Sequence, residues 1–336
     1  MKVSKDHFFS VGNSLKFSND QLQIFWTTLE KNEVSPFSKY LFYFGALIVI
    51  SAMTWFMTLG WETFGGGGIF LIAVAYALLF VLAGHLLWNK KEMRIPAGLC
   101  ITMAVCMVPL AIYGLQNYLG FWPVDSEKYP GFYTWVEGRW IYMEIGTILA
   151  GLLALRFYPF PFITAPIFFA AWYFTMDIVP IAFGKEISSD GRCWVSLLFG
   201  FALLVMGLLI DKKKKRDYAF WSYLFGAFSF WGGLTGLVWG KGEGGLFVYL
   251  IINLLMMLFS IVLRRNVLMV FGAFGIFAYL GHLAYDLFEN SILFPFALSF
   301  IGLAVIALGI LYQKKKSVFE KKLFEILPEW IKNISC

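Results

Sequence analysis

Apolar residues run through this chain in long stretches, and short polar breaks separate them at near-regular intervals. The stretches fall at 40–60, 67–88, 96–116, 140–157, 159–184, 191–210, 218–240, 245–263, 267–288 and 292–312. The run from Gly191 to Ile210 is the clearest, because it ends at Asp211 and then Lys212, Lys213, Lys214, Lys215 and Arg216. Roughly twenty residues rising ~1.5 Å each cross a ~30 Å hydrocarbon core. The pattern therefore predicts an all-α polytopic integral membrane bundle of about ten transmembrane helices. Three regions follow: a cytosolic lead-in at 1–39, the bundle at 40–312 and a basic tail at 313–336.

The polar breaks set the direction of threading. With the N-terminus inside, one side holds five Lys and Arg in the lead-in, three at 89–95, Arg156, five at 211–217, Arg264 and Arg265, and six in the tail. The other side holds only Lys128, Arg139, Lys185, Arg192 and Lys241 of the 27. Cationic side chains are retained on the cytoplasmic side, so both termini are expected there. Tryptophan agrees: Trp61, Trp122, Trp135, Trp140, Trp194 and Trp239 fall at outer ends, and Trp88 and Trp221 at inner ones. Indole favours the headgroup level, where its ring is buried and its N–H is wet.

Both flanks read as amphipathic helices. Ser18-Asn19-Asp20-Gln21 has the form of a capping box, and Leu22, Phe25, Trp26 and Leu29 share one helical face before Ser35-Pro36 ends it. This Ser18–Leu29 helix is expected to lie on the membrane or the cytosolic loops, or to dock a protein partner. In the tail, Ser317 and Glu320 form a second box, and Phe319, Leu323 and Ile326 a stripe among lysines. That suits anionic lipid at the inner leaflet. The outer break at 117–139, rich in aromatics with Pro123 and Pro130, is expected to form a structured cap.

Composition narrows the class. The 336 residues are 60% hydrophobic and 14% charged, against roughly 25% charged in soluble domains. The net charge of +6 lies in the breaks, so it orients helices and implies no nucleic acid. Cys100, Cys106, Cys193 and Cys336 have neither metal-ligand spacing nor a prenylation box. No metal or cofactor is implied. No cleavable signal peptide is visible, since the first forty residues are largely polar.

Internal repetition is suggested in two incompatible registers. Gly200-Phe201-Ala202 through Gly207 to Lys212 aligns with Gly302-Leu303-Ala304 through Gly309 to Lys314, implying parallel units 96–210 and 218–312. Tyr40-Leu41-Phe42 with Gly65 to Phe70 aligns instead with Tyr223-Leu224-Phe225 and Gly242 to Phe247. Gly232, Gly236 and Gly240 are spaced as a small-residue ridge for helix packing.

Chemistry in such a chain resides in ionisable groups within spans, because hydrocarbon makes them costly. Glu144 lies one turn inside the outer end of its span, and Asp177 about two turns inside the next. His282 and Asp286 share a face at i, i+4. One reading gathers these four in an outward-facing cavity that binds a small solute or ion or relays a proton. The other leaves each to snorkel to the interface, with Arg139 beside Glu144. Asp177 is the deepest, and Pro159, Pro161, Pro166 and Pro180 around it suggest a kinked or broken span. Asn253 is the most central polar side chain. Gly65 to Gly68 lacks the Lys-Ser/Thr of a phosphate loop, and no HExxH or Gly-x-Ser-x-Gly occurs.

The layout resembles bacterial polytopic membrane-protein families of unknown function that open with a short soluble helix. The resemblance is carried by the capped helix at Ser18 to Leu29, by Phe44-Gly45-Ala46 in the first span and by Trp55 or Trp61 near its outer end. It implies a bacterial inner (cytoplasmic) membrane location and carries over no functional residue. The functions left open are a small-solute or ion transporter or channel, a scaffold or sensor using its cytosolic helices, and an intramembrane enzyme on lipid-linked substrate. The absence of a catalytic motif leans against the enzyme.

Overall fold

The computed structural model describes residues 5–15, 17–31, 36–121, 140–183, 188–213 and 218–283, with isolated positions from 295 to 314. Among the described residues every regular element is a helix. The chain divides into two compact units, Met1–Trp122 and Pro123–Cys336.

The first unit opens with α1 (Lys5–Ser14) and α2 (Asn19–Lys31). The capping box closes in both directions: the Gln21 N–H donates to Ser18 Oγ at 3.3 Å, and the Ser18 N–H to Gln21 Oε1 at 3.2 Å. The lead-in is not one helix, however. Leu22 is buried at 2% exposure against Gly12 of α1, and Trp26 meets Phe8 at 5.5 Å between ring centroids. Phe25 of the same apolar face is exposed, beside Ile24. A second helix escaped the sequence reading because KDHFFSVGNS holds only Phe8, Phe9 and Val11 as large apolar residues.

Then come α3 (Pro36–Thr63), α4 (Gly65–Trp88) and α5 (Arg94–Tyr118). Only Phe64 separates α3 from α4, and Gly65 takes φ +60, which glycine adopts without strain. α5 packs on both others. A methyl at Gly66 or Gly114 would strike the backbone of the facing helix, so these glycines set the close approach of α4 and α5.

The second unit holds α6 (Trp140–Phe157), α7 (Thr164–Phe183), α8 (Ser189–Asp211), α9 (Phe220–Val238), α10 (Glu243–Leu263) and α11 (Asn266–His282). Pairing is strongest within α6–α7, α8–α9 and α10–α11. Four prolines suggested a kinked or broken fifth span, and the interruption lies at its start rather than at its middle. Phe160 is extended, Pro161–Ile163 makes one tight turn, and α7 starts at Thr164 with Pro166 in its first turn, where a missing N–H costs little. Pro180 falls in the last turn.

The α8–α9 seam corrects the expected ridge. Gly232 and Gly240 face open space, whereas Gly226 and Gly233 sit against the α8 backbone near Leu203 and Leu197, and Gly236 against Cys193. Spacings of seven and three select the helix face that a four-residue spacing does not. Ser222 Oγ ties the pair further, donating to the Leu203 carbonyl at 2.7 Å.

Burial is inverted relative to a soluble protein. Leu78, Leu79, Leu82 and Leu86 of α4 and Leu149, Leu152 and Leu153 of α6 are exposed, while Glu144, Asp177 and Asn253 are buried. Such an apolar exterior suits lipid as the surrounding solvent. Among the described residues six helices are long and apolar enough to cross a membrane: α4, α5, α6, α7 with its entry turn, α8 and α10. α3, α9 and α11 cover the remaining apolar stretches up to 282. The stretch 292–312, the tail and, beyond residue 121, the cap expected at 117–139 lie largely or wholly outside the described residues, while 117–118 belong to the end of α5.

Candidate functional site

α6 and α7 run antiparallel through the 158–163 turn, which places Glu144 and Asp177 at similar depth from the same end of the pair. Glu144 is 6% exposed and Asp177 5%. Their carboxyl groups meet within hydrogen-bonding reach of each other. Among the described residues nothing donates to Glu144 Oε1, Glu144 Oε2 or Asp177 Oδ2. The hydroxyls nearest along each helix are used locally: Thr147 Oγ1 donates to the Met143 carbonyl and Thr175 Oγ1 to the Trp172 carbonyl, both at 2.6 Å. Pro180 lacks the N–H that would have served the Met176 carbonyl. The result is a buried pair of carboxyls with those three oxygens receiving no donor from the described residues.

His282, grouped with these residues by sequence, pairs elsewhere. Its Nε2 lies 3.0 Å from Glu243 Oε1 at the start of α10, and its ring meets Trp239 edge-on at 6.0 Å. Lys241 pairs with Asp190. Asp286 lies outside the described residues, as does Arg139, the expected neighbour of Glu144. The structure thus joins two of the four carboxyl and imidazole groups on α6–α7 and sets His282 on α10–α11.

Asn253 is fully buried, but in a packing role. Its Nδ2 donates to the Tyr249 carbonyl at 2.8 Å, and its side chain fills the space where a Cβ on Gly275 would fall. Nearby, Thr235 Oγ1 donates to the Trp231 carbonyl at 2.8 Å, so the contact of 3.1 Å with Tyr249 is a donation from the Tyr249 hydroxyl.

One cluster was not foreseen. Asp211, read in sequence only as the start of a basic stop, accepts two hydrogen bonds from Arg265, Nε to Oδ2 at 3.0 Å and Nη2 to Oδ1 at 2.5 Å. The Tyr223 hydroxyl donates to Oδ2 at 3.1 Å, and the Arg265 guanidinium lies 5.4 Å from that ring's centroid. A lone acid inside a run of lysines was the available signal. Among the described residues no group of three or more His, Cys, Asp or Glu is arranged to hold a metal.

Fold and site together define a class: an all-helical protein of membrane type with a carboxyl pair buried between α6 and α7. No family model matches the chain, and no curated protein or solved structure shows significant similarity to it.

Proposed function

We propose that this chain is a ten-span inner-membrane protein of bacterial type with both termini cytoplasmic, and that it moves a small solute or ion through a path containing Glu144 and Asp177. The observation that carries this reading is the carboxyl pair itself. Acidic groups deep among lipid-facing helices are costly, and carriers of ions and protons are where that cost has a use. The reading is tested in proteoliposomes with a panel of cations, anions and small neutral solutes, comparing the wild type with Asp177→Asn. Flux of at least one solute is expected to fall at least tenfold in the variant. Unchanged flux for every solute defeats the proposal.

A second reading draws on the α1–α2 hairpin, whose Leu15, Ile24 and Phe25 are exposed although α2 is otherwise capped and packed. Such a surface suits a sensor or scaffold that docks a protein through its cytosolic helices. Deleting residues 1–35 then abolishes function while the bundle keeps its thermal unfolding profile; a transporter retains flux after the same deletion.

A further inference from the structure

We infer that the Glu144–Asp177 pair is a proton site rather than a metal-cation site, so that whatever passes through or is sensed by this protein is coupled to protons. The inference rests on the proposed role of the pair and names its ligand.

Two carboxylates are acceptors only; a hydrogen bond between them exists only when one carries an O–H. Glu144 and Asp177 meet within that reach. Glu144 is more than nine-tenths buried, and neither of its oxygens receives a donor from a third group among the described residues. Two adjacent negative charges at a buried position repel strongly, and burial removes much of the water that would screen them. A proton on the pair removes one charge and supplies the missing donor at once.

A metal cation fits less well. Calcium takes about six to eight oxygens and magnesium about six, several of them water. Here the two carboxyls are buried against each other, with Thr147 and Thr175 turned onto their own helices. On α7, Pro180 leaves the Met176 carbonyl without its usual helical donor.

Among the described residues, several ionisable groups on the packed elements lie away from the pair or are engaged elsewhere. Arg156 lies at the opposite end of α6, and Tyr173 of α7 packs on Phe169 and Trp172. On α8, Asp190 pairs with Lys241 and Asp211 with Arg265, and the Tyr223 hydroxyl of α9 also goes to Asp211. Arg192 lies in the first turn of α8. Loading adds one proton to a carboxyl oxygen and unloading returns it to water, with no change in oxidation state. Unloading leaves two carboxylates, so it requires the α6–α7 seam to admit water.

The test is infrared difference spectroscopy of the full chain in nanodiscs near neutral pH. A protonated carboxyl has a C=O stretch above the carboxylate bands that shifts on exchange into D2O. The expected result is such a band in the wild type, lost in Glu144→Gln/Asp177→Asn and unaltered when sodium, potassium, magnesium or calcium replaces choline. No band difference between wild type and double variant overturns the inference. A band that any of these cations abolishes also overturns it, and this titration needs no variant to fold. A cation-insensitive band in a protein that moves none of the tested solutes leaves the proton site standing and removes the transporter.

Discussion

Asp211 and Arg265, 54 residues apart, are joined at two points, tying the end of α8 to the start of α11 with Tyr223 of α9 held between them. The side chains are 12% and 21% exposed, so the pair is largely withdrawn from water. A planar guanidinium matches both carboxylate oxygens, and an ammonium does not. Arg265→Lys is expected to lower stability by about 1–2 kcal/mol. Arg265→Ala, which strands the acid, is expected to cost about 3 kcal/mol. Thermal unfolding in detergent gives the order; equal losses for both variants contradict the two-point geometry.

The α8–α9 seam separates glycines that look alike in sequence. Gly200→Ala drives a methyl into the backbone of α9 at Gly226 and Phe230, with an expected cost of about 1–3 kcal/mol. Gly232→Ala meets nothing within 4 Å, and is expected to be neutral or to stabilise the helix by about 0.5–1 kcal/mol. Unfolding midpoints of the two variants should move in opposite directions, or only the first should move.

Asn253 and Gly275 act as one packing unit across α10 and α11. Asn253→Ala empties that space and removes the bond to the Tyr249 carbonyl, an expected loss of about 2 kcal/mol. Adding Gly275→Ala puts a methyl where the amide had been. The double variant should recover about 1 kcal/mol of the loss, read as a coupling in a double-mutant cycle.

At the N-terminal hairpin, Ser18→Ala removes the acceptor for the Gln21 N–H. The loss is expected to be about 1 kcal/mol, confined to α2. Hydrogen exchange should show faster exchange in the first turn of α2 and no change in α8 or α9.

Threading is tested by labelling. In a background with all native cysteines replaced, Lys213→Cys should react with an impermeant thiol reagent only from the cytoplasmic side, and Lys241→Cys only from outside. Lys241 is half-exposed and Lys213 exposed, so both positions are reachable. Reversal of either result removes the orientation.

Much of the helical order was legible because a spanning helix must carry a long apolar run, and the run from 40 to 282 folds where the runs lie. Ser18 and Gln21 were legible because a capping box is a local device. What escaped was which neighbour each side chain would meet. His282 sits within a turn of Asp286 in sequence, but its observed partner, Glu243, is 39 residues earlier. Gly232, Gly236 and Gly240 have the right spacing, yet of the three Gly236 alone meets α8, and rotation of α9 gives the backbone contacts to Gly226 and Gly233. Asp211 lay among lysines, and its partner is supplied by another hairpin. Glu144 and Asp177 stood apart in the sequence because each is an acid deep in an apolar run; only the α6–α7 turn makes them adjacent.

The joints of α4–α5, α6–α7, α8–α9 and α10–α11 have a consequence for synthesis. In each pair the tightest interface lies between consecutive helices, across a connection of a few residues. A ribosome finishing the second helix of a pair has therefore already delivered everything that pair needs to close on itself. Hairpins can leave the insertion machinery one after another as finished pieces, each with its glycines or its acids already covered. Glu144 is the exception in timing: it emerges some thirty residues before the partner that shelters it, and until Asp177 arrives the nascent chain carries an unaccompanied acid at the membrane.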